Sequence, residues 1–368
     1  MGELTHKAAR AAFGGAIDLA MRKMDKDREK GLLDLVDLTE RFMGDNFQKS
    51  SYEGARKMIQ DPDSKWMSYV NRALDEIDPH VIKQTALNLG FEAAFHGTKT
   101  IRSMREVHQC NIPWLILMDP TSACNLHCTG CWAAEYGSKQ NLTLDEMDSI
   151  IRQAKELGTH VFIYTGGEPL VRKRDVIALC EQHPDCAFLS FTNATLIDED
   201  FCQDMLRVKN FIPAISVEGF EEATDARRGD GTYGKVVAAM RLLKRHGLPF
   251  GVSCCYTSQN ASSIASEEYF DWMIEQGALF CWIFTYMPIG VDAPTDLMAS
   301  AEQREALYHF VRGMRDKKPL FTLDFWNDGE FVGGCIAGGR NYFHINSAGD
   351  AEPCVFIHYS NANIHDQS

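Results

Sequence analysis

The sequence predicts an α/β protein built around a parallel sheet, and three observations support this fold class. Short β-rich segments alternate with amphipathic helical segments about six times between residues 112 and 290. Such alternation is typical of a parallel sheet with helices on its outside. Hydrophobic residues make up 45% of the 368 residues and charged residues 24%, as in other globular proteins. The sheet is either doubly wound or closed into a whole or partial barrel, and both arrangements place functional groups at the carboxyl ends of the strands.

The first 108 residues predict a helical segment. Apolar residues recur three and four positions apart, for example at Leu32, Leu35 and Val36, which is the spacing of one helix face. Asp-Pro pairs interrupt the pattern as turns or helix starts. We therefore expect a helical domain at 1–108 that packs on the rest of the chain or shapes a substrate site.

The alternating region predicts six strands with helices between them. The strands are expected at 113–118, 161–165, 187–192, 211–217, 250–256 and 279–286. The helices are expected at 143–157, 172–183, 198–208, 233–246, 266–276 and 300–316. The first helix starts with a capping box formed by Thr143 and Glu146. We assign the sheet domain to 109–318 and a separate small module to 319–368.

Charge and hydropathy exclude several classes of function. The chain has 37 Lys and Arg against 51 Asp and Glu, a formal net charge of −14, which argues against nucleic acid as the main partner. No apolar run approaches the about 20 residues of a membrane-spanning helix, and the amino terminus lacks the pattern of a signal peptide. We expect a cytoplasmic protein, in which clustered cysteines act as metal ligands or redox groups.

Three of the twelve cysteines lie within eight residues, directly after the first predicted strand. Cys124, Cys128 and Cys131 follow a C-x3-C-x2-C spacing, so a compact loop can direct three thiolates at one point. Structural zinc usually takes four protein ligands, and His127 could supply the fourth. A ferredoxin-type cluster run is tighter and belongs to another fold. Three cysteines on a four-iron cluster would leave one iron open to an outside molecule.

A second motif, Thr165-Gly-Gly-Glu-Pro169, ends the second predicted strand. Gly166 and Gly167 let the backbone approach a ligand closely, so that its N–H and C=O groups can bind an amino-acid-like group. Glu168 adds a carboxylate for an ammonium group. Taken alone, the motif is a turn signal; one strand–helix unit after the cysteines, it indicates a binding site.

With these motifs the chain resembles the radical S-adenosylmethionine (radical SAM) superfamily over residues 112–290, and more weakly to 360. The matching positions are Cys124, Cys128, Cys131, Gly166, Gly167, Glu168, Pro169, Asn193, Ser216, Glu218, Pro288 and Gly290. The resemblance assigns the cysteines to the cluster, and Gly166–Pro169 to the amino group of the methionine end. Ser216 and an arginine, Arg227 or Arg228, would hold its carboxylate. Ala194 replaces the glycine that the family usually has after the asparagine.

The resemblance implies a partial (β/α)6 TIM-like barrel that binds a [4Fe-4S] cluster and S-adenosylmethionine. It implies reductive cleavage of S-adenosylmethionine to a 5′-deoxyadenosyl radical, which abstracts hydrogen from a substrate. An electron donor such as flavodoxin or ferredoxin would be a partner. The substrate class stays open between a peptide or protein, a lipid or isoprenoid, and another small molecule. A non-catalytic iron–sulfur carrier or scaffold is the alternative from a different class.

One position departs from the family pattern. An aromatic residue usually precedes the third cysteine and contacts the adenine, but here this position is Gly130 and the aromatic comes later, as Trp132. A side chain at position 130 cannot contact the adenine. Trp132 either substitutes for it or packs in the core.

The carboxyl-terminal segment carries a second cysteine pattern. Cys335 and Cys354 flank a predicted strand, a Gly-Asp hairpin turn and a return strand. The spacing resembles the start of the SPASM or twitch extension, which binds auxiliary iron–sulfur clusters. Its later cysteines are absent, so we expect a truncated or degenerate module. The pair could belong to an auxiliary cluster, form a zinc half-site, or be a structural remnant.

The other cysteines and several aromatics predict core packing. We expect Cys110 and Cys281 in the core, and one member of the pair Cys254–Cys255 facing the interior. Trp282 and Tyr286 follow the same expectation of filling the core rather than lining a cavity.

Overall fold

The computed structural model describes residues 3–44, 47–135, 140–289 and 293–368. The amino-terminal part is helical: α1 Glu3–Met24, α2 Arg28–Met43, α3 Lys49–Gln60, α4 Lys65–Glu76, α5 Pro79–Thr85, a π-helix at Ala86–Gly97, and α6 Thr98–His108. The later helices are α7 Leu144–Glu156, α8 Lys173–Gln182, α9 Glu199–Val208, α10 Glu221–Arg228, α11 Thr232–Arg245, α12 Ala261–Ile264, α13 Glu267–Gln276, α14 Ala301–Lys317 and α15 Gly329–Val332. Short 3-10 turns occupy Trp132–Glu135, Pro169–Arg172 and Thr295–Leu297.

Within the described residues, nine strands form one sheet. They are β1 Leu115–Met118, β2 Val161–Tyr164, β3 Ala187–Thr192, β4 Phe211–Ser216, β5 Gly251–Tyr256, β6 Phe280–Thr285, β7 Phe321–Asp324, β8 Tyr342–Ile345 and β9 Ala351–Glu352. Their order is β7-β6-β5-β4-β3-β2-β1-β8-β9. All neighbouring pairs are parallel except β8 and β9. The predicted α/β class with a parallel sheet is confirmed, and the six predicted strands are β1–β6.

The sheet extends beyond the six predicted strands at both edges. β7 pairs with β6, and β8 pairs with β1 in the register Leu115 with Tyr342. Both strands come from the segment that the sequence assigns to a separate module at 319–368. The sequence pattern shows the hairpin of β8 and β9 but not its position beside β1, because parallel pairing of distant segments leaves no local signal.

Alternating side chains divide the sheet into two faces. Ile116, Phe162 and Val252 belong to the large outer core beneath the helices. Leu117 and Ile163 pack on the inner face with Tyr342. Because strand side chains alternate with a period of two, each predicted strand contributes both to the helix-covered core and to the interior of the partial barrel.

The amino-terminal helices are attached to the barrel by buried polar contacts. Asn88, 1% exposed, donates from Nδ2 to the carbonyls of Cys186 at 2.6 Å and Pro184 at 3.1 Å. Arg72 donates from Nη2 to the carbonyl of Ala278 at 2.8 Å. The predicted helical character of residues 1–108 holds for the described part of this segment. No helix among the described residues is long and apolar enough to cross a membrane.

A buried histidine joins the hairpin of β8 and β9 to the end of β1. His344 Nε2 lies 2.9 Å from Asp119 Oδ1, and His344 Nδ1 lies 2.8 Å from Glu352 Oε2. Burial disfavours the imidazolium, but the carboxylates of Asp119 and Glu352 outweigh it and raise the pKa of His344 to about 9. Position 344 is therefore charged at neutral pH and links three strands.

We predict that this histidine makes stability fall with rising pH. Its folded pKa of about 9 lies above the ordinary 6.5, so its contribution is complete below about pH 6.5 and is lost as pH rises through about 9. The contribution is on the order of a few kcal/mol. Urea unfolding between pH 6 and 9.5 should show a slope that His344→Gln removes and the exposed control His309→Gln keeps. An unchanged slope in His344→Gln would contradict the assignment.

Candidate active site

One large cavity opens at the carboxyl ends of the strands, and it contains most of the residues that the sequence selects. It encloses about 1310 Å³ of space not filled by atoms, counted to its open mouth. The predicted site residues that line it are Cys124, Cys128, Cys131, Gly166, Gly167, Glu168, Asn193, Ser216, Arg227 and Arg228. These residues come from the segments after β1 to β4, which converge at one edge because the strands are parallel.

The cysteine loop is held by contacts on both sides. Thr129 N donates to the carbonyl of Arg227 at 2.8 Å, and Arg228 Nη1 lies 3.9 Å from Cys128 Sγ. Asn193 Nδ2 lies 4.0 Å from Cys124 Sγ. The loop thus contacts the ends of α10 and β3, which face it across the cavity.

Desolvation raises the pKa of two thiols of this loop, those of Cys124 and Cys128. It raises the pKa of Cys124 to about 11. It also raises the pKa of Cys128, although the nearby Arg228 guanidinium works in the opposite direction. Metal binding must therefore displace protons from these thiols.

The spacing of the three sulfurs differs from that of a single-ion site. Among the described residues, the trio Cys124, Cys128 and Cys131 does not bring its sulfurs within 4.8 Å of one another, the spacing of ligands to one ion. His127 does not complete such a group either. The described geometry therefore shows no preformed single-ion site at these cysteines.

The two glycines of the second motif are required by the protein's own backbone. A Cβ on Gly166, whose φ is +98°, would lie 2.8 Å from the Thr121 carbonyl oxygen. A Cβ on Gly167 would lie 2.3 Å from the Ala123 carbonyl oxygen. Gly167 N donates to Thr121 O at 3.0 Å, and Glu168 N donates to Ala123 O at 2.9 Å. The N–H group of Gly167, which we expect from the sequence to bind a ligand, instead binds the segment that leads to Cys124.

Glu168 ties the same motif to the next strand. Its Oε1 accepts from Thr192 Oγ1 at 2.7 Å and from Leu170 N at 2.9 Å, and its Oε2 accepts from Asn193 N at 2.7 Å. Burial raises the pKa of Glu168 and these hydrogen bonds lower it, with a net rise. The hydrogen-bond donors given for the carboxylate are thus neutral, and the Arg228 guanidinium acts on it only through space. Pro169 starts the 3-10 turn that follows and is buried.

Two arginines share one buried carboxylate below the cavity. Arg228 Nη2 lies 2.5 Å from Glu218 Oε1, and Arg227 Nη1 donates to the same oxygen. Cys255 N donates to Glu218 Oε2 at 2.8 Å. Burial opposes ionisation of Glu218, but the two guanidiniums lower its pKa. Both arginines line the cavity whereas Glu218 does not, so Glu218 acts on the cavity through the two arginines and through the backbone of Cys255, which also lines it.

This arrangement leaves one positive charge in excess at the cavity wall. The Nε–H of Arg227 is buried and has no hydrogen-bond partner among the described residues. An unsatisfied buried donor on a guanidinium is costly unless an acceptor occupies the space beside it. Ser216 lines the same wall. The wall is therefore suited to an anionic group such as a carboxylate.

Tyr286 occupies the space that a side chain at position 130 would need. Gly130 has φ +66°, and a Cβ there would lie 2.6 Å from the Tyr286 ring. Tyr286 lines the cavity and is 3% exposed, and its hydroxyl has no hydrogen-bond partner in the described part of the chain. The expectation that Tyr286 merely fills the core is wrong, because its ring lies at the cavity wall beside the cysteine loop.

The interior face of the barrel lines the rest of the cavity with apolar rings. The lining aromatics are Trp132, Phe191, Trp282, Phe284, Phe325, Tyr342 and Phe356. Trp132 lines the cavity and also packs edge-on against His344, with ring centroids 6.3 Å apart. Trp282 was expected to fill the core but lines the cavity, because alternate residues of β6 point inward. The same alternation directs Cys255 inward and buries Cys254 in the outer core.

The remaining predicted residues lie elsewhere. Pro288 follows β6 next to the cavity-lining Met287, and Gly290 lies outside the described residues. Cys335 is exposed and Cys354 is buried, with its sulfur 3.2 Å from the Tyr342 hydroxyl. Neither belongs to a described group of three ligand atoms within 4.8 Å, so an auxiliary cluster there stays a prediction.

The structure tests the predicted burial of two further cysteines, Cys281 and Cys110. Cys281 is buried as expected. Cys110 was expected in the core but is exposed, because it lies just after the end of α6 in the link to β1.

The fold and the site together define a partial α/β barrel with a cysteine-loop cofactor site at its open end. Residues 118–266 match the family model described as the radical SAM superfamily. This match assigns residues 118–266 to the radical SAM superfamily, whose members use a [4Fe-4S] cluster and S-adenosylmethionine. The match ends at residue 266, so the SPASM or twitch extension stays a prediction.

Curated relatives and solved structures agree with this assignment. The AdoMet-dependent heme synthase of Methanosarcina barkeri is 26% identical over 286 residues, which cover 70% of this chain and 81% of the relative. A cysteine-type anaerobic sulfatase-maturating enzyme of Clostridium perfringens is 27% identical over 172 residues, which cover 41% of this chain and 46% of the relative.

Among solved structures, Streptococcus suis SuiB bound to S-adenosylmethionine is similar in fold, with a TM-score of 0.59 at 19% identity, covering 85% of this chain and 76% of that one. The anSMEcpe structure with bound AdoMet has a TM-score of 0.57 at 20% identity, covering 69% and 79%. Both show the fold alone.

We predict that Gly130 and Tyr286 are energetically coupled. Gly130→Ala should lower the free energy of unfolding by about 2–3 kcal/mol, since the methyl group meets the Tyr286 ring and the backbone is left-handed. In a Tyr286→Ala background only the backbone part, about 1 kcal/mol, should remain. Urea unfolding of the four proteins measures the coupling. Gly234→Ala, in open space on α11, is the control and should not destabilise. Equal losses in both backgrounds would refute the contact.

Proposed function

We propose that this radical SAM enzyme holds its cluster at Cys124, Cys128 and Cys131, and binds the methionine end of S-adenosylmethionine at Glu168, Ser216 and Arg227. The observation that carries this proposal is that these residues line one cavity. A cluster scaffold or electron carrier would not need the methionine-end residues. The non-catalytic alternative is therefore the weaker one.

Held at Cys124, Cys128 and Cys131, the cluster would supply the electron for reductive cleavage of S-adenosylmethionine to methionine and a 5′-deoxyadenosyl radical, which would take a hydrogen atom from the substrate. The chain's contribution is to bind and orient. Arg228, 3.9 Å from Cys128 Sγ, places positive charge beside a thiolate ligand and favours its deprotonated form.

The methionine end of the cofactor matches the charges of the cavity wall. Arg227 offers an unpartnered Nε–H and the wall has one positive charge in excess, which suits the carboxylate. Glu168 is a buried carboxylate among neutral donors, so an ammonium group would stabilise its ionised form. Asn193 and Ser216 complete this end of the site.

We further propose that Tyr286 takes the place of the missing aromatic before Cys131. Its ring lies against Gly130, and its hydroxyl is buried without a described partner. A ring and a free hydroxyl at this point suit the face and the nitrogen atoms of an adenine. Pro288 and Gly290 would lie beside the adenosine, as the resemblance implies.

The aromatic interior favours an apolar substrate. Phe191, Trp282 and Phe284 pack together, with the Phe191 and Trp282 ring centroids 5.2 Å apart. They lie on the inward-facing side of β3 and β6 and line the cavity. Such a wall has few groups to bind a peptide backbone, whereas it buries flat or branched hydrocarbon groups well. The heme synthase and the Fe-coproporphyrin III synthase among the relatives support a flat tetrapyrrole macrocycle as the substrate.

Peptide or protein modification is the second candidate. A sulfatase-maturating relative favours it, but that match covers 41% of this chain. A lipid or isoprenoid would fit the same apolar wall. A flavodoxin or ferredoxin as electron donor and a location in the cytoplasm remain predictions from the sequence.

We predict that the anaerobically reconstituted, reduced protein forms 5′-deoxyadenosine from S-adenosylmethionine, and that Cys131→Ala abolishes this. Arg227→Met should raise the KM for S-adenosylmethionine at least tenfold while retaining the cluster, because the carboxylate loses its buried charged partner. The exposed Arg241→Met is the matched control. Liquid chromatography of the products gives the rates. A cluster-loaded wild-type protein that forms no 5′-deoxyadenosine would refute the proposed function.

We predict that iron coproporphyrin III, a probe with a flat aromatic macrocycle and propionate side chains, binds in the aromatic cavity. It should quench tryptophan fluorescence and accelerate 5′-deoxyadenosine formation. Trp282→Leu should weaken binding by about tenfold through loss of ring contacts, whereas Trp66→Leu on α4 should not. Faster turnover with a peptide or an isoprenyl lipid, and none with the porphyrin, would favour those substrate classes instead.

A further inference from the structure

The amino-terminal helices bring together two histidines and a carboxylate that the radical chemistry does not use. Glu92 and His96 lie on the π-helix Ala86–Gly97, and His6 lies on α1. A π-helix has more than four residues per turn, so residues four apart share one side, and such segments are often found at functional sites. None of the three residues lines the cavity of the active site.

The three side chains face one point. His6 Nε2 lies 3.1 Å from Glu92 Oε2, and the rings of His6 and His96 have centroids 4.1 Å apart. One ligand atom from each residue lies within 4.8 Å of the others. Tetrahedral zinc with bonds of about 2.0–2.1 Å separates its ligand atoms by about 3.3–3.4 Å, so small side-chain rotations close the set on one ion.

The burial of Glu92 and of two histidine nitrogens favours binding of a cation at this position. The Glu92 side chain is 0% exposed. The Nδ1 atoms of His6 and His96 are buried and have no hydrogen-bond partner among residues 3–44, 47–135, 140–289 and 293–368. Unpaired buried imidazole nitrogens are costly, and a metal ion bound by one nitrogen of each ring and by the carboxylate would remove part of this cost.

Arg10 is compatible with this site because it occupies the other oxygen of the carboxylate. Its Nε lies 2.6 Å from Glu92 Oε1, and its Nη2 donates to Asn88 Oδ1 at 3.0 Å. Oε2 remains directed at His6. An outer partner that fixes a ligating carboxylate in this way is common at metal sites.

We propose that His6, Glu92 and His96 bind one divalent transition-metal ion of the zinc class, with a fourth position for water. Two imidazoles and one carboxylate form a donor set for borderline ions rather than for Mg²⁺ or Ca²⁺. The ion would link α1 to the π-helix, and through Asn88 to the barrel. The site is independent of the iron–sulfur cluster and of the proposed function.

The test is zinc uptake by the full chain with its cluster already reconstituted. After dialysis against Zn²⁺, elemental analysis should find one more zinc per chain in the wild type than in His96→Ala or Glu92→Gln. His108→Ala, an exposed histidine on α6, should behave like the wild type. Equal zinc content in the wild type and both site variants would overturn the proposal.

Two further measurements complement the zinc counts, and the first of them uses the wild type alone. The zinc K-edge spectrum of the wild type should show only N and O neighbours at about 2.0–2.1 Å, while sulfur at about 2.3 Å would place the ion on the cysteines instead and overturn the proposal. Added zinc should raise the Tm of the wild type by several degrees and leave that of His96→Ala unchanged. The site variants should keep 5′-deoxyadenosine formation, which separates this proposal from the radical chemistry.

Discussion

The site depends on the contacts of one buried carboxylate residue, Glu168. Its backbone N–H holds the Ala123 carbonyl, and its side chain accepts from Thr192 and Asn193. The loops after β1, β2 and β3 are thereby fixed to one another at a point without exposed surface. Because Glu168 reaches all three loops, the geometry of the cysteines is set by the barrel rather than by the cysteine loop alone. A flexible loop would have to be ordered by the cluster, at a cost in conformational entropy.

A second buried carboxylate, Glu218, determines the charge at the cavity wall. Glu218 binds Arg227 and Arg228 with one carboxylate, so two guanidiniums can stay together in a buried place where their mutual repulsion would otherwise separate them. The excess positive charge of the two arginines then lies at the cavity wall, near Cys128 and Ser216. Glu218 acts on the site without touching the cavity. The resemblance predicts Glu218 as a cofactor-binding residue. In the structure Glu218 binds Arg227 and Arg228, and these two arginines line the cavity.

Motifs with fixed spacing and alternating strands could be read from the sequence, because both are local. The six strands β1–β6 and the class of the protein follow from them. Gly130 and Tyr286 illustrate what could not be read: they are distant in sequence, and only folding reveals that the ring fills the space beside the glycine. Trp282 and Cys255 were assigned to packing for the same reason, since period-two alternation fixes that one face points inward but not that the inside is hollow. The position of β8 beside β1 also depends on long-range pairing.

The hairpin of β8 and β9 contributes to the active site through contacts that do not involve its cysteines. His344 holds Asp119 at 2.9 Å, and the space that a Cβ on Gly166 would need is taken by Asp119 itself, 2.8 Å away. Asp119 therefore packs against Gly166 of the Gly-Gly-Glu-Pro motif. β8 pairs with β1, the strand that ends just before Asp119. Removing the hairpin would leave the Asp119 carboxylate without its charged partner and expose an edge strand directly below the cysteine loop. The hairpin is thus a structural part of the active-site floor, whatever its two cysteines bind.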